Sequence, residues 1–201
     1  KLPTSREIPS EGPAAAGIAV TTVGVRGAEP FIAALQESHE QKPMGMRMEA
    51  FEYSGGFYVT DVAEDERTAV ASYNARADED KRIRPGDYVV AVNGVTGFAE
   101  MKALVQEPVS TVTVMRPRIF DVTVPRCDKP LGMGVKYAPD GTSLTVENIR
   151  AEGAVADAGV DIVVGDRIVA VSGRRGNPAQ LLSALDSTRD AELTVSRCSG
   201  A

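Results

Sequence analysis

Two short motifs occur twice in the same order along the chain. Lys42-Pro43-Met44-Gly45-Met46 returns 87 positions later as Lys129-Pro130-Leu131-Gly132-Met133. Pro85-Gly86-Asp87-Tyr88-Val89-Val90-Ala91-Val92-Asn93-Gly94 returns 79 positions later as Val164-Gly165-Asp166-Arg167-Ile168-Val169-Ala170-Val171-Ser172-Gly173. One pentapeptide recurs by chance easily; two ordered motifs with similar flanks mark a duplication. The 201 residues are therefore read as two small units rather than one large core. The two offsets differ by eight, which places an insertion in the first copy around residues 74–84, where Asp78-Glu79-Asp80-Lys81-Arg82 reads as a solvated loop.

The second copy is the more compact. Residues 120–126 alternate Val122 and Val124 with polar neighbours, as a half-buried strand does. Met133 and Val135 continue an alternation after the glycine loop, and Pro139-Asp140-Gly141 marks a hairpin turn before a strand at 143–149. A short helical turn is expected over 152–158, a strongly apolar strand over 166–171, a helix over 178–185 opened by Pro178, and a last strand over 191–197. The first copy repeats the plan, with strands at 31–35, 57–62 and 111–115, inward Met46 and Met48, a turn at Ser54-Gly55-Gly56, and helices near 68–73 and 99–106. Arg116-Pro117-Arg118 is almost no linker, so the orientation of the two units is expected to be fixed.

This succession resembles the PDZ family: an apolar-Gly-apolar loop before the second strand, then a Gly-Asp strand closing on Asn-Gly or Ser-Gly, then a helix and a closing strand. The resemblance covers residues 31–116 and 119–198, joined at 117–118, with an arm before them at 1–30 and a tail at 199–201. It implies a mainly β (α+β) fold class, two PDZ-like, partly open barrels or sandwiches, each with about five or six strands and two helices. The motif order is that of the metazoan-type arrangement rather than the permuted one.

In that family the glycine loop turns consecutive main-chain N–H groups toward a peptide's terminal carboxylate, and glycine permits the turn. Carried over, the donors are Met44, Gly45 and Met46 in the first unit and Leu131, Gly132 and Met133 in the second. Lys42 and Lys129 take the place of a supporting basic residue. The peptide would add as an antiparallel strand, in grooves lined by Met48, Phe98, Met101 and Val105 in one unit and Val135, Leu182 and Leu185 in the other.

Two departures shape the expected ligand. Many family members open the late helix with a histidine that reads a Ser or Thr, whereas the only histidine here is His39, and the matching positions hold Phe98 and Ala99, or Asn177 and Pro178. An apolar or unspecialised preference is expected instead, with methionine at three of the four loop flanks giving an adaptable pocket. Pro43 and Pro130 remove a donor beside each loop and stiffen it.

The functional reading is a non-catalytic tandem adaptor or scaffold that binds C-terminal or extended peptides. Its rivals are a structural subunit of a larger complex, held to neighbours by the N-terminal arm, and the recognition part of a protease whose catalytic chain is separate. Residues 1–17, rich in Pro, Ser and Ala, read as that arm, and Ile18 to Val25 as an extra strand. Enzyme chemistry is not expected: a lone His39 has no nucleophile motif to partner, and Gly132-Met133-Gly134 is too short for a dinucleotide fingerprint. No cofactor or metal is expected, since the acidic insertion lacks ligand-loop spacing.

A net charge of −6 with no basic stripe sets nucleic acid aside. No apolar run is long enough to span a bilayer, which leaves other proteins as partners, those of membrane complexes included. The chain is expected to be soluble, in the cytoplasm or in an organelle after loss of a targeting peptide. Under the PDZ resemblance, Cys198 falls opposite about Phe120 or Asp121 and Cys127 opposite about Glu192, too far apart for a disulfide.

Overall fold

The structure, a computed structural model, describes residues 29–35, 43–50, 52–53, 55–126 and 128–198. Two five-stranded sheets organise them. The first contains β1 (Phe31–Ala34), β2 (Met46–Ala50), β3 (Phe57–Val62), β4 (Tyr88–Val92) and β5 (Thr111–Met115), in the order β1-β5-β4-β3-β2. The second contains β6 (Arg118–Pro125), β7 (Met133–Lys136), β8 (Leu144–Ile149), β9 (Arg167–Val171) and β10 (Asp190–Arg197), in the order β6-β10-β9-β8-β7. All pairings within them are antiparallel. The same topology is thus drawn twice, and neither sheet closes into a barrel. In each, the strand after the glycine loop, β2 or β7, is an edge.

Helices α1 (Ala69–Asn74) and α2 (Phe98–Leu104) accompany the first sheet, and α3 (Ala154–Ala158) and α4 (Pro178–Ser187) the second. Their starts follow from local chemistry. Thr68 caps α1, its hydroxyl accepting from the Ala71 N–H at 3.3 Å. Asn177 and Gln180 form a reciprocal capping box at α4, with Pro178 in the first turn where a missing N–H costs nothing. The inward faces make two separate cores, one around Phe57, Val59, Val89 and Val114, the other around Val122, Val124, Leu144 and Leu193.

The insertion in the first copy is less free than its charge suggests. A short 3-10 turn at Glu79–Lys81 is exposed, as expected of Asp78 to Arg82. Beyond it, Ile83 is buried, and the Asn74 side-chain amide both donates to the Ile83 carbonyl and accepts from its N–H, each at 2.8 Å.

The repeated Gly-Asp is a structural device. Asp166 accepts from the Val163 N–H at 2.8 Å and from Arg197 through both carboxylate oxygens, at 2.6 and 2.8 Å. Asp87 does the same with the Arg84 N–H, at 2.7 Å, and with Arg116. Each aspartate ties the loop before a central strand to an arginine at the end of the last strand. Burial pushes the Asp87 carboxyl up, opposed by Arg116 and by the Arg84 N–H.

The residue after each Gly-Asp joins the two sheets. Strand alternation points Tyr88 and Tyr58 away from the first core. Both belong to a third apolar cluster with Val169 and Cys198 of the second sheet. The Tyr88 hydroxyl donates to the Ser196 carbonyl at 3.3 Å, and the two tyrosine rings meet edge-on at 5.3 Å. At the matching position Arg167, fully buried, donates to Glu49 at 2.5 Å and to Ser143 at 2.9 Å, and lies 4.3 Å from the Tyr58 ring centre. The sheets therefore pack back to back, in keeping with the fixed orientation expected from the short linker.

One registration differs from expectation. Phe120 pairs with Val195, and Arg118 with Arg197, so the partner of Phe120 is not Cys198, which lies three residues further on. Strand β6 begins at Arg118, two residues before the alternation is visible, and that shifts the register. Cys198 is a free, buried thiol. Cys127, and with it the disulfide expectation, lies outside the described residues, as do His39, Lys42, the Ser54 turn position and the arm at 1–28.

Candidate functional site

The glycine loops are held from behind by helix starts. In the first unit the carbonyls of Pro43 and Met44 accept from the N–H groups of Ala69 and Val70, each at 3.0 Å, and the Gly45 carbonyl accepts from Ala63 at 2.8 Å. In the second, Pro130 and Leu131 accept from Ala154 and Val155 at 3.0 and 3.1 Å, and Gly132 from Arg150 at 2.8 Å. Three successive carbonyls are thus spent on one side. Among the described residues, the N–H groups of Met44, Gly45, Leu131 and Gly132 donate to nothing.

The next donor follows from strand parity. The Ala63-to-Gly45 bond makes Met46 and Val62 a non-hydrogen-bonded antiparallel pair, and the Arg150-to-Gly132 bond does the same for Met133 and Ile149. Residues at such positions turn their own N–H and C=O away from the neighbouring strand. Met46 and Met133 therefore present both groups to the open edge. Each loop offers three consecutive donors, two in the turn and one at the first strand residue, the local arrangement of an anion nest.

Both central glycines are required. Gly45 and Gly132 have φ of +80° and +75°, a region that L side chains avoid. A Cβ on Gly132 would stand 2.7 Å from the Gly153 Cα, and one on Gly45 would stand 2.2 Å from the Thr68 Cβ. The loop sits on the helix start with no room for a side chain. The prolines are compatible with this: the donor each lacks precedes the three that face the edge, and each carbonyl is used.

The remaining site residues divide. Met44, Met46, Met48 and Phe98 are partly buried against the first core, and Leu131, Met133, Val135 and Leu182 against the second. Phe98 meets Phe57 edge-to-face at 5.6 Å, and Val105, the C-cap of α2, packs on the same core. Met101 and Leu185 are buried members of the cores themselves, so they stiffen the helices from within. The helical period explains it, since α4 turns Leu181 and Leu185 inward together, four residues apart, and leaves Leu182 at the margin.

Lys129 is engaged with Asp157 of α3 at 2.7 Å, on the side of the loop that carries the helix bonds. Sequence reasoning missed Arg126. Its guanidinium donates to the Leu185 carbonyl in the last turn of α4 at 3.0 Å and to the Lys129 carbonyl at 3.4 Å, so one cation joins the approach to the nest to the negative end of the flanking helix. The available signal was position alone: Arg126 stands three residues before the second Lys-Pro.

Element order and edge geometry are PDZ-like in both sheets. No protein-family model and no curated protein matches the chain. Among solved structures, it is similar to INAD PDZ45 in a complex with NORPA CC-PBM, at 21% identity over 89% of this chain and 96% of that one, with a TM-score of 0.39. It is also similar to INAD PDZ45 in complex with an NG2 peptide, at 20% identity over 94% and 96%, with a TM-score of 0.35. Likenesses at this level carry no weight for function.

Proposed function

We propose that the chain is a non-catalytic protein-interaction module of two PDZ-like domains, residues 31–116 and 119–198. Each captures the C-terminus of an extended peptide, its carboxylate on Met44 to Met46 or Leu131 to Met133, its backbone along β2 or β7. The observation that carries this reading is the one-sidedness of both loops: carbonyls bound to a helix start, N–H groups turned to an open sheet edge and donating to nothing. Apolar Met48 and Phe98, or Val135 and Leu182, favour an apolar last side chain. Strand addition supplies affinity through the backbone and leaves selectivity to those pockets.

The test is a display of random C-terminal heptapeptides against the whole chain, followed by fluorescence anisotropy on the enriched sequences. Free-acid peptides ending in an apolar residue should bind, and C-terminal amidation should weaken them at least tenfold, since it removes the charge the nest accepts. Equal binding of acid and amide, or no enrichment, would reject the proposal.

A second reading, a rigid bracket within a larger assembly, is favoured by the buried contact between the sheets. It predicts that assembly survives Leu182→Lys.

A further inference from the structure

We infer that the second domain supplies part of the first domain's peptide site. The inference rests on the groove reading above and extends it. From its nest, β2 runs to Ala50, and there it meets the turn between β7 and β8. Arg47, Met48, Glu49, Ala50 and Thr60 of the first sheet share one cleft with Tyr137, Ala138 and Asp140 of the other unit.

The turn is fastened where it stands. Arg47 is ion-paired with Asp140. Glu49 is bound by buried Arg167, and a Cβ on Gly141 would lie 2.2 Å from the Glu49 carboxylate. The cleft therefore exists before any ligand arrives, so ordering it on binding costs little. Among the described residues, Tyr137 is one of the few large apolar side chains left exposed, at 44%, and it stands beside the far end of an edge strand whose near end is the nest.

A peptide added to β2 turns alternate side chains to the face that carries Arg47 and Glu49. That face opens on Tyr137. Ala50 and Ala138 leave space, while the exposed tyrosine ring and the Arg47 guanidinium both favour a planar aromatic partner. The occupant is accordingly an extended peptide with a free C-terminus and an aromatic residue upstream on that face. Met46 to Ala50 spans four steps of about 3.4 Å each, so about five ligand residues are needed to reach the end of the cleft.

The probes are an eight-residue peptide with an upstream aromatic, taken from the display selection, and its last four residues alone, each titrated into the uniformly 15N-labelled whole chain. The eight-mer should shift the amides of Met44 to Met46 and of Ala138 to Asp140 with one dissociation constant; the four-mer should shift only the first set. Tyr137→Ala should weaken the eight-mer about three- to tenfold and leave the four-mer unchanged. Gly45→Ala should abolish both sets of shifts, which assigns the effect to the first domain. An eight-mer that leaves Ala138 to Asp140 unmoved, or is indifferent to Tyr137→Ala, overturns the inference while the groove reading stands. If neither peptide moves Met44 to Met46, the groove reading of the first domain falls and takes the inference with it.

Discussion

Arg167 and Glu49 lie 118 residues apart in sequence and form a buried ion pair 2.5 Å long between the two sheets. Arg167 is fully buried and Glu49 nearly so, so each charge depends on the other for compensation. Removing one partner strands a buried charge, which costs about 3–5 kcal/mol, whereas exchanging both for apolar residues of similar size is often neutral. Arg167→Ala should therefore lower the free energy of unfolding in urea by about that amount. Arg167→Met combined with Glu49→Leu should recover most of it. A single variant as stable as the parent would mean that the sheets are not packed this way.

The two motifs that announce the repeat make different predictions. Asp166 spends its carboxylate on the Val163 N–H and on Arg197. Asp166→Asn keeps the shape, loses a charge-assisted partner, and should cost about 1.5–3 kcal/mol of stability. Peptide affinity of the folded fraction should not change, because Asp166 faces neither nest. A loss of affinity at full folding, seen by anisotropy below the unfolding transition, would place the Gly-Asp motif in recognition instead.

Gly132→Ala should cost about 1–3 kcal/mol from the positive φ alone, with a further penalty because the new Cβ stands 2.7 Å from the Gly153 Cα. Thermal unfolding followed by circular dichroism checks this. The loop can relieve the contact only by withdrawing from the α3 start, so the second domain's nest should be lost along with the stability.

Cys198 provides a pH signature for the packing between sheets. Burial pushes its thiol up from 9.0 to about 11, and Tyr88 moves the same way for the same reason. The folded state thus keeps protons that the unfolded chain gives up. Stability from Cys198 is fully present below pH 9 and is lost between about pH 9 and 11 as the unfolded thiol ionises, by about 2–3 kcal/mol. Urea unfolding across that range should show the decline, and Cys198→Ala should flatten part of it. An identical slope in the variant would show that the thiol is not in the buried contact.

The sequence carried the repeated strand order, because glycine loops and Gly-Asp strands depend on local backbone demands that the residues themselves display. It did not carry the back-to-back packing. Tyr88 and Arg167 occupy the variable position after Gly-Asp and sit on the strand face away from each core, which an alternating pattern assigns to solvent. Only their long-range partners, Ser196 and Glu49, make that face interior. The nests were legible as residues, while their one-sided bonding was not, since the helix starts that hold them follow the loops by more than twenty positions. Arg126 was hidden for a related reason: its acceptor Leu185 is 59 residues away. The slip in the β6 register came from Arg118 and Ile119, whose place in the strand is fixed by pairing with β10 rather than by alternation.

Capture of a carboxylate by the two nests is tested most directly by the amide resonances of Gly45 and Gly132 in 15N-labelled protein. The titrants are one display-selected peptide as the free acid and the same peptide as its C-terminal amide. Large, saturable shifts of one or both glycines are expected with the acid, and shifts at least tenfold weaker in apparent affinity with the amide. Coincident titration curves for acid and amide, or glycine amides that do not move while the peptide binds, would contradict it.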